Sequence, residues 1–281
     1  MASLKVGDLV TRHSYGSDLL FKIIKIKNQE AILKGIDVRL LADAPLKDLQ
    51  KPTAKQLQAL NHRFCLREQL NHLHRQKIGQ QRGTNRSGRK GNNFFEVPPK
   101  ILHLDGDEEY LKNCLQGYAA FSLNVEGQYI QEKKLPQVVS RLLKKYSPDL
   151  LVLTGHDAYL KRKGRDFSDL NNYRNSRYFV EATRAARRYE PSRDELIIFA
   201  GACQSHYEAL LEAGANFASS PQRVFIHALD PVFVVKVVAN TPIHAIANVS
   251  EAIASTFSGF DGIGGVESRG KLRLGLPKSP Y

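Results

Sequence analysis

The fold of this chain is decided by Leu150-Leu-Val-Leu-Thr-Gly-His-Asp-Ala-Tyr159 and Leu196-Ile-Ile-Phe-Ala-Gly-Ala-Cys-Gln-Ser-His206. In each stretch, an apolar run of strand length stops at a glycine, and polar residues follow it. From Pro98 onward, similar apolar runs alternate with amphipathic segments. This alternation predicts an α/β domain with an open, mainly parallel sheet that is covered by helices on both faces.

The predicted strands and helices of this domain follow one another along the chain. Strands are expected at Lys100–Leu104, Phe121–Val125, Asp149–Thr154 and Glu195–Ala200, and shorter strand-like pieces at Asn216–Ser219 and Val224–Ala228. Helices are expected at Glu108–Ala120, Leu135–Tyr146, Asp169–Tyr189 and Ser205–Ala213. Gly259–Gly265 is expected to be a turn before a hairpin of Val266–Arg269 and Lys271–Leu274, because no Lys-Ser or Lys-Thr follows it as a phosphate-binding loop requires.

Three regions are predicted along the chain. Residues 1–50 contain short alternating segments at Lys5–Arg12, Leu19–Lys27, Glu30–Leu33 and Val38–Leu41, which favour a small SH3-like β-barrel. Residues 51–97 combine a solvated helix over 53–78 with an exposed basic linker over 79–93 that is rich in Gly, Arg, Asn and Ser. Residues 98–281 form the α/β domain.

Composition limits the kind of protein this can be. A formal net charge of +13 favours association with acidic partners, and six of the basic residues lie within 75–91. Specific nucleic-acid binding is not expected, because the linker offers only Phe94 and Phe95 for base stacking. The sequence has no apolar run long enough for a membrane span and no secretory signal, so we expect a cytosol-like compartment and no membrane partner. Three widely spaced cysteines indicate neither a disulfide framework nor a metal site, and no cofactor is expected.

The two glycine-ended runs bring a thiol and an imidazole to the same edge of the sheet. In parallel sheets, reacting groups collect at the carboxyl ends of the strands. Cys203 and His156 lie about fifty residues apart, which is the length of one crossover, so neighbouring strands could place them in one cleft. A thiol needs a nearby base to attack a carbonyl, and His156 could supply it. A helix that begins after Cys203 would add its dipole. The pattern predicts a cysteine endopeptidase.

Other residues of these two runs are candidates for supporting roles. His206 is a second candidate base, but three residues beyond the sulfur it is more easily placed beside the site than in it. Gly155, Asp157 and Gly201 are candidates for the oxyanion donors or for support of the loops. Either histidine or cysteine alone would more often be an ordinary buried residue, so the prediction depends on the pair.

The spacing of the pair resembles that of the caspase, gingipain and clostripain group of cysteine peptidases. In that group, a His-Gly dipeptide follows one strand and an Ala-Cys dipeptide follows the next. Here the glycine precedes His156 and Asp157 follows it, so the backbone donor for the oxyanion would be Gly155 or Asp157. The resemblance implies a caspase-like fold for residues 98–281.

Longer runs resemble the YabG family of sporulation-specific proteases of spore-forming bacteria over nearly the whole chain. The runs are Val6-Gly-Asp-Leu-Val10, Leu102-His-Leu-Asp-Gly-Asp107, Thr154-Gly-His-Asp-Ala-Tyr159, Gly201-Ala-Cys-Gln-Ser-His206, Ala213-Gly-Ala-Asn-Phe-Ala-Ser-Ser-Pro221 and Ile226-His-Ala-Leu-Asp-Pro231. The resemblance implies an endopeptidase that cuts spore-coat and cortex proteins beside basic residues, with Cys203 and His156 as its dyad. It also implies location in the cytoplasm of the mother cell and later in the spore coat. Self-association is compatible with the sequence.

Substrate binding is expected near the last strands of the sheet. Ser219 and Ser220 resemble part of the strand that lines the substrate pocket in the caspase-like group, where small side chains would admit an extended peptide. A pocket for Arg or Lys needs a carboxylate. Asp230 is the first choice for this carboxylate, and Asp105 and Asp107 are alternatives, although each could equally cap a helix.

Self-cleavage is expected in the basic linker, where Arg82, Arg86 and Arg89 are the candidate sites. Two other functions remain open from the sequence. One is a non-catalytic basic module that binds a spore-coat scaffold. The other is a cysteine-dependent amidase, although Ser205 stands where the nucleophile turn of such enzymes has a glycine.

Overall fold

The computed structural model describes residues 4–58, 94–160 and 166–279. Its contacts divide the chain into two compact units. The first contains the described residues of 1–34, 42–95 and 275–281, and the second contains 35–41 and 96–274. Residues 35–41 lie in sequence between two parts of the first unit, but they belong to the second unit.

The N-terminal strands form one five-stranded sheet with the order β4-β3-β2-β1-β5. The strands are β1 Leu9–Arg12, β2 Phe21–Lys27, β3 Glu30–Gly35, β4 Leu41–Pro45 and β5 Leu49–Gln50. In β2, alternation buries Phe21 and Ile23 and exposes Ile24, which is the pattern of a half-buried strand. β5 was not predicted, and closure of the sheet as an SH3-like barrel stays a prediction. Residues 54–58 are helical, at the start of the helix predicted over 53–78.

The second unit is a mixed α/β structure around a mainly parallel sheet with the order β13-β11-β10-β9-β7-β8. Its strands are β7 Ile101–Asp105, β8 Val125–Tyr129, β9 Leu150–Thr154, β10 Ile197–Ala200, β11 Phe217–Ser219 and the antiparallel edge strand β13 Ile263–Gly265. Every residue of β7, β9, β10 and β11 is buried. This confirms the expected parallel sheet with helices on both faces. The remaining short strands are β6 Phe95–Val97, β12 Ile246–Ala247, β14 Ser268–Arg269 and β15 Arg273–Gly275.

The helices divide between the two faces of this sheet. They are α1 Glu108–Ala120, α2 Leu135–Tyr146, α3 Ser176–Tyr189, α4 Tyr207–Glu212, α5 Asp230–Asn240, α6 Val249–Ala254 and α7 Gly259–Gly262. One core cluster joins Val152 and Phe199 to α1 and α5, and the other joins Leu151 and Ile198 to α2 and α3. Successive strand residues point to opposite faces, so each strand contributes to both cores. In the part of the chain that the structure describes, no helix has the length and apolar character that crossing a bilayer requires.

Several predicted boundaries differ from the structure. The strand predicted at Phe121–Val125 begins only at Val125, because the amides of Phe121 and Leu123 bond back to the last carbonyls of α1. The helix predicted from Asp169 begins at Ser176, after a short 3₁₀ turn.

The C-terminal part differs more. No hairpin forms from Val266–Arg269 and Lys271–Leu274, because Ser268–Arg269 pairs with β12 and Ile263–Gly265 joins the main sheet instead. Residues 224–228 form no regular strand and contribute one antiparallel bridge, between Val38 and His227. Helix α5 was not predicted. Nearly all its residues are buried, so its sequence has no polar face to show a helical period.

Candidate active site

The candidate base lies on the loop that follows β9. The His156 amide donates to Glu132 Oε1 at 2.7 Å, and the His156 carbonyl accepts from Asn175 Nδ2 at 2.7 Å. A Cβ atom at Gly155 would collide with the Glu132 carboxylate, which explains the glycine. Burial raises the pKa of Glu132, while the His156 amide acts to lower it. Hydrogen bonds at both the amide and the carbonyl of His156 therefore fix the main chain of this loop.

The His156 ring is oriented by Asp107. Nε2 lies 2.9 Å from Asp107 Oδ2, while Oδ1 of the same carboxylate accepts from the amides of Glu109 and Tyr110 and so caps α1. Within the described residues, the buried Nδ1 has no hydrogen-bond partner. The hydrogen bond to a carboxylate assigns the proton to Nε2, so Nδ1 presents its lone pair as a base. The sequence did not reveal this role of Asp107, which looked like a pocket residue or a helix cap.

The candidate nucleophile lies on the loop that follows β10. Gly201 has a φ of 110°, a conformation that favours glycine, and a Cβ there would collide with the hydroxyl of Ser219. Cys203 is fully buried, and its Sγ accepts from the Ile226 amide at 3.2 Å and lies 3.7 Å from the Ile226 carbonyl. Burial raises the pKa of the thiol to about 12, against the lowering effects of the Ile226 amide, the charge of Arg39 and the Arg39 amide. In this state the sulfur is a protonated thiol.

Tyr110 lies beside the candidate base. Its ring lies 5.5 Å from the His156 ring, centroid to centroid. Burial raises the pKa of Tyr110, and the negative charge of Asp107 raises it further. His156 and Cys203 follow β9 and β10, which are parallel neighbours, so both residues lie at the carboxyl edge of the sheet.

Asp157 ties these two loops together. Its Oδ2 accepts from the hydroxyls of Ser176 and Ser205, the latter at 2.9 Å, and its Oδ1 accepts from the amides of Ala158 and Asn175. Burial raises the pKa of Asp157 to about 6. Its side chain accepts hydrogen bonds, so it supports the loops and leaves only its backbone amide for an oxyanion.

The second candidate base, His206, has both ring nitrogens engaged. Nδ1 accepts from the Ala209 amide at 3.3 Å and caps α4, and Nε2 lies 2.9 Å from the carbonyl of Ser168. The ring also lies 5.0 Å from that of Tyr173. These contacts are those of a structural histidine and favour His156 as the base.

The predicted substrate strand has no free edge. β11 pairs with β10 on one side and with β13 on the other, so a peptide cannot be added beside Ser219. The Ser219 hydroxyl donates to the carbonyl of Ala202 at 2.9 Å, and that of Ser220 donates to Val224 at 2.8 Å. Both serines therefore brace the cysteine loop and the residues after β11.

Of the three candidate pocket carboxylates, Asp230 lies among neutral donors. Its Oδ2 accepts from the His227 amide at 2.9 Å and from the Ser258 hydroxyl, and its Oδ1 accepts from the Phe257 amide at 2.7 Å. It begins α5 and holds the adjoining loops.

Asp105, in contrast, binds an arginine. The Asp105 side chain is fully buried, and its Oδ2 lies 2.7 Å from Arg39 Nη1 and 2.8 Å from Thr154 Oγ1. Burial opposes ionisation of Asp105, but the charge of Arg39 outweighs it and holds the pKa well below its usual range. Arg39 gave no signal in the sequence, because its flanking residues show only a short strand-like pattern.

The surroundings of Arg39 also contain metal-ligand atoms. His103, Asp105 and Cys114 bring one ligand atom each within 4.8 Å of one another. The Arg39 guanidinium lies among them, with Nη2 3.3 Å from Cys114 Sγ. This positive charge takes the place that a metal ion would need.

The autocleavage candidates Arg82, Arg86 and Arg89, and the basic stretch 75–91, lie outside the described residues.

Comparisons with known proteins extend over nearly the whole chain. A family model described as YabG peptidase U57 matches residues 5–277. A curated relative, the sporulation-specific protease YabG of Bacillus subtilis (strain 168), is 46% identical over 284 residues, which cover 97% of this chain and 98% of the relative. No solved structure matches the chain. The chain belongs to the YabG peptidase family.

Proposed function

We propose that this protein is a cysteine endopeptidase in which Cys203 is the nucleophile, His156 the general base and Asp107 the residue that orients the base. One observation carries the proposal. His156 has one ring nitrogen bonded to a carboxylate and the other buried without a partner among the described residues, and it follows β9, the parallel neighbour of the strand β10 that precedes Cys203. A base with one anchored and one available nitrogen is what a thiol nucleophile requires.

The chemistry follows from these assignments. Nδ1 of His156 accepts the thiol proton, and the sulfur adds to the peptide carbonyl carbon. Asp107 stabilises the imidazolium that forms. The imidazolium then gives its proton to the leaving amine, and a water molecule activated by the same nitrogen hydrolyses the thioester. The Gly201 amide already donates to Leu153 O at 3.0 Å, so the amides of Gly155 and Asp157 are the candidate oxyanion donors.

The substrates are proteins of a sporulating cell. The name of the relative supports a role in sporulation, and the family resemblance of the sequence supports cleavage after Arg or Lys in spore-coat and cortex proteins. The protein acts in the mother cell and then in the coat, and it cuts its own basic linker. A requirement for basic residues at the cut site needs a buried carboxylate that binds them.

A peptide library with mass-spectrometric detection of the cut bonds tests the proposal. The wild type should cut after Arg or Lys, Cys203→Ala should not cut, and Cys65→Ala provides a control for loss of another thiol. Release of ammonia from glutamine peptides without backbone cleavage would indicate an amidase. Cleavage by Cys203→Ala at the parental rate would remove Cys203 from the mechanism.

A further inference from the structure

The segment Gly35–Leu41 runs antiparallel to residues 226–228. The Arg39 amide donates to the Ile226 carbonyl at 3.1 Å, and the Ala228 amide donates to the Asp37 carbonyl at 2.7 Å. An antiparallel bridge joins Val38 to His227 between them. An extended segment that adds to another by main-chain bonds is one of the general ways in which peptides are recognised.

The side chain of Arg39 fills a closed pocket that is built for a guanidinium group. Nη1 bonds Asp105, Nη2 lies 3.3 Å from Cys114 Sγ and 3.1 Å from the Ala228 carbonyl, and Nε lies 3.3 Å from the same carbonyl. Arg39 is fully buried. The pocket matches the planar, forked geometry of arginine, and the ammonium group of lysine could not reach all these acceptors at once.

The same segment contacts both sides of the candidate active site. Ile226 accepts from the Arg39 amide, and the Ile226 amide donates to Cys203 Sγ. On the side of the base, the hydroxyl of Tyr110 lies 2.6 Å from the Gly35 carbonyl and 2.8 Å from the Val38 carbonyl. The backbone of Arg39 therefore passes the nucleophile while its side chain enters the pocket.

We infer that Gly35–Leu41 lies in the substrate cleft as an internal pseudo-substrate, with Arg39 in the pocket that takes the arginine of a substrate and Asp105 as the carboxylate of that pocket. The inference rests on the proposed function and makes its substrate class specific: extended peptides with an arginine before the cut bond. It also means that the segment must leave before a substrate can bind.

A purely structural role explains these contacts less well. A buried ion pair is weak support for a fold, since well-packed apolar side chains of similar volume often stabilise it equally. Here the arginine is contributed by the connection between β3 and β4, which passes the cysteine, and its main chain bonds as a substrate would. A structural pair requires none of these three features.

Hydrogen exchange on the wild-type protein tests the inference without any substitution. A peptidyl-arginine chloromethyl ketone should alkylate Cys203, with loss of chloride, and its arginine should displace Arg39. Amide exchange at Arg39 should then become faster, because its amide loses the Ile226 carbonyl as acceptor. The same reagent with norleucine in place of arginine is the control and should leave the exchange unchanged. Alkylation of Cys203 by the arginine reagent with unchanged protection of 35–41 would overturn the inference.

Kinetics of Arg39→Ala, with folding checked by circular dichroism, give an independent result. If the segment occupies the cleft nine-tenths of the time, its release should lower KM for arginine peptides about tenfold at nearly constant kcat, because apparent affinity scales with the open fraction. Arg12→Ala, which removes a partly buried arginine paired with Asp48, should not change KM. Removing the arginine leaves the buried Asp105 carboxylate without its cation and lowers stability in either case. A purely structural arginine would lower kcat or leave KM unchanged, and would not lower KM. Cleavage that needs Cys203 but has the same KM in Arg39→Ala would overturn only the pseudo-substrate, whereas cleavage independent of Cys203 would overturn the proposed function and this inference together.

Discussion

Replacing Asp107 by Asn separates the orientation of the base from the stability of the fold. In the wild type, Oδ1 of Asp107 caps α1 through the amides of Glu109 and Tyr110, and Oδ2 accepts from His156 Nε2 at 2.9 Å. Asparagine can keep the Oδ1 cap, since Asn and Asp are equally good N-caps. Its amide nitrogen would then face Nε2 as a donor. The imidazole would change tautomer, and Nδ1 would carry a proton and lose its function as a base.

The expected size of the effect on catalysis is much larger than that on folding. Losing the correct tautomer in a comparable triad lowers kcat by about 10⁴-fold. This factor corresponds to about 5.5 kcal/mol of transition-state stabilisation, at about 1.36 kcal/mol for each factor of ten. The unfolding free energy should change by less than about 1 kcal/mol, because the cap is retained. KM should stay close to the wild-type value, because Asp107 meets the pocket carboxylate through its backbone amide, which donates to Asp105 Oδ1 at 2.9 Å and is kept in the variant.

Steady-state cleavage of an arginine peptide and urea unfolding, measured on the same preparation, test this prediction. Asp107→Ala is the matched variant: it should lose the same activity and, in addition, about 1 kcal/mol of stability from the missing cap. A kcat for Asp107→Asn within threefold of the wild type would refute the assignment of Asp107 as the orienting residue. Equal loss of stability in both variants would refute the separation of its two roles.

Three further outcomes are expected. His156→Ala should lose nearly as much kcat as Cys203→Ala while His206→Ala loses far less, and the reverse order on folded variants would transfer the base to His206. Because burial raises the pKa of Asp157 from 3.8 to about 6, the folded state keeps a proton that the unfolded state has lost. Stability should therefore fall by about 2 kcal/mol as the pH rises from 4 to 7. Asp157→Asn should lack this dependence in urea titrations, and an identical pH profile would contradict it. Wild-type protein of 31.5 kDa, left at moderate temperature, should cut itself within 75–91 into fragments of roughly 9 and 22 kDa. The variant Cys203→Ala should stay whole. Equal fragmentation of both proteins would indicate a contaminating protease.

The sequence was most informative where an apolar run ended at a glycine. Gly155 and Gly201 mark the ends of β9 and β10, and both lie where a side chain would collide with a neighbour. Strand length, glycine and the following polar residue are all local properties, so they can be recognised without the fold. The positions of His156 and Cys203 at one edge of the sheet then follow from the parallel topology.

The residues that orient the base and bind arginine could not be found in the same way. Asp107 has the sequence pattern of an ordinary helix cap, and its second oxygen reaches His156 across a sequence separation of 49 residues. Arg39 and Asp105 are separated by 66 residues and lie in regions that composition assigned to different modules. Such pairs are set by the packing of distant segments. Helix α5 was missed for a different reason, because a helix that is apolar on all sides has no period to detect.

The burial of Cys203 also protects its sulfur from oxidation. Oxidants attack the thiolate, and because burial raises the pKa of Cys203, the sulfur stays protonated at neutral pH. Peroxide and disulfide exchange should therefore reach this atom more slowly than an exposed cysteine while Ile226 and Arg39 cover it. A protease in this closed state would keep its nucleophile chemically intact through a long dormant period, and would become vulnerable to oxidation only when the cleft opens for a substrate.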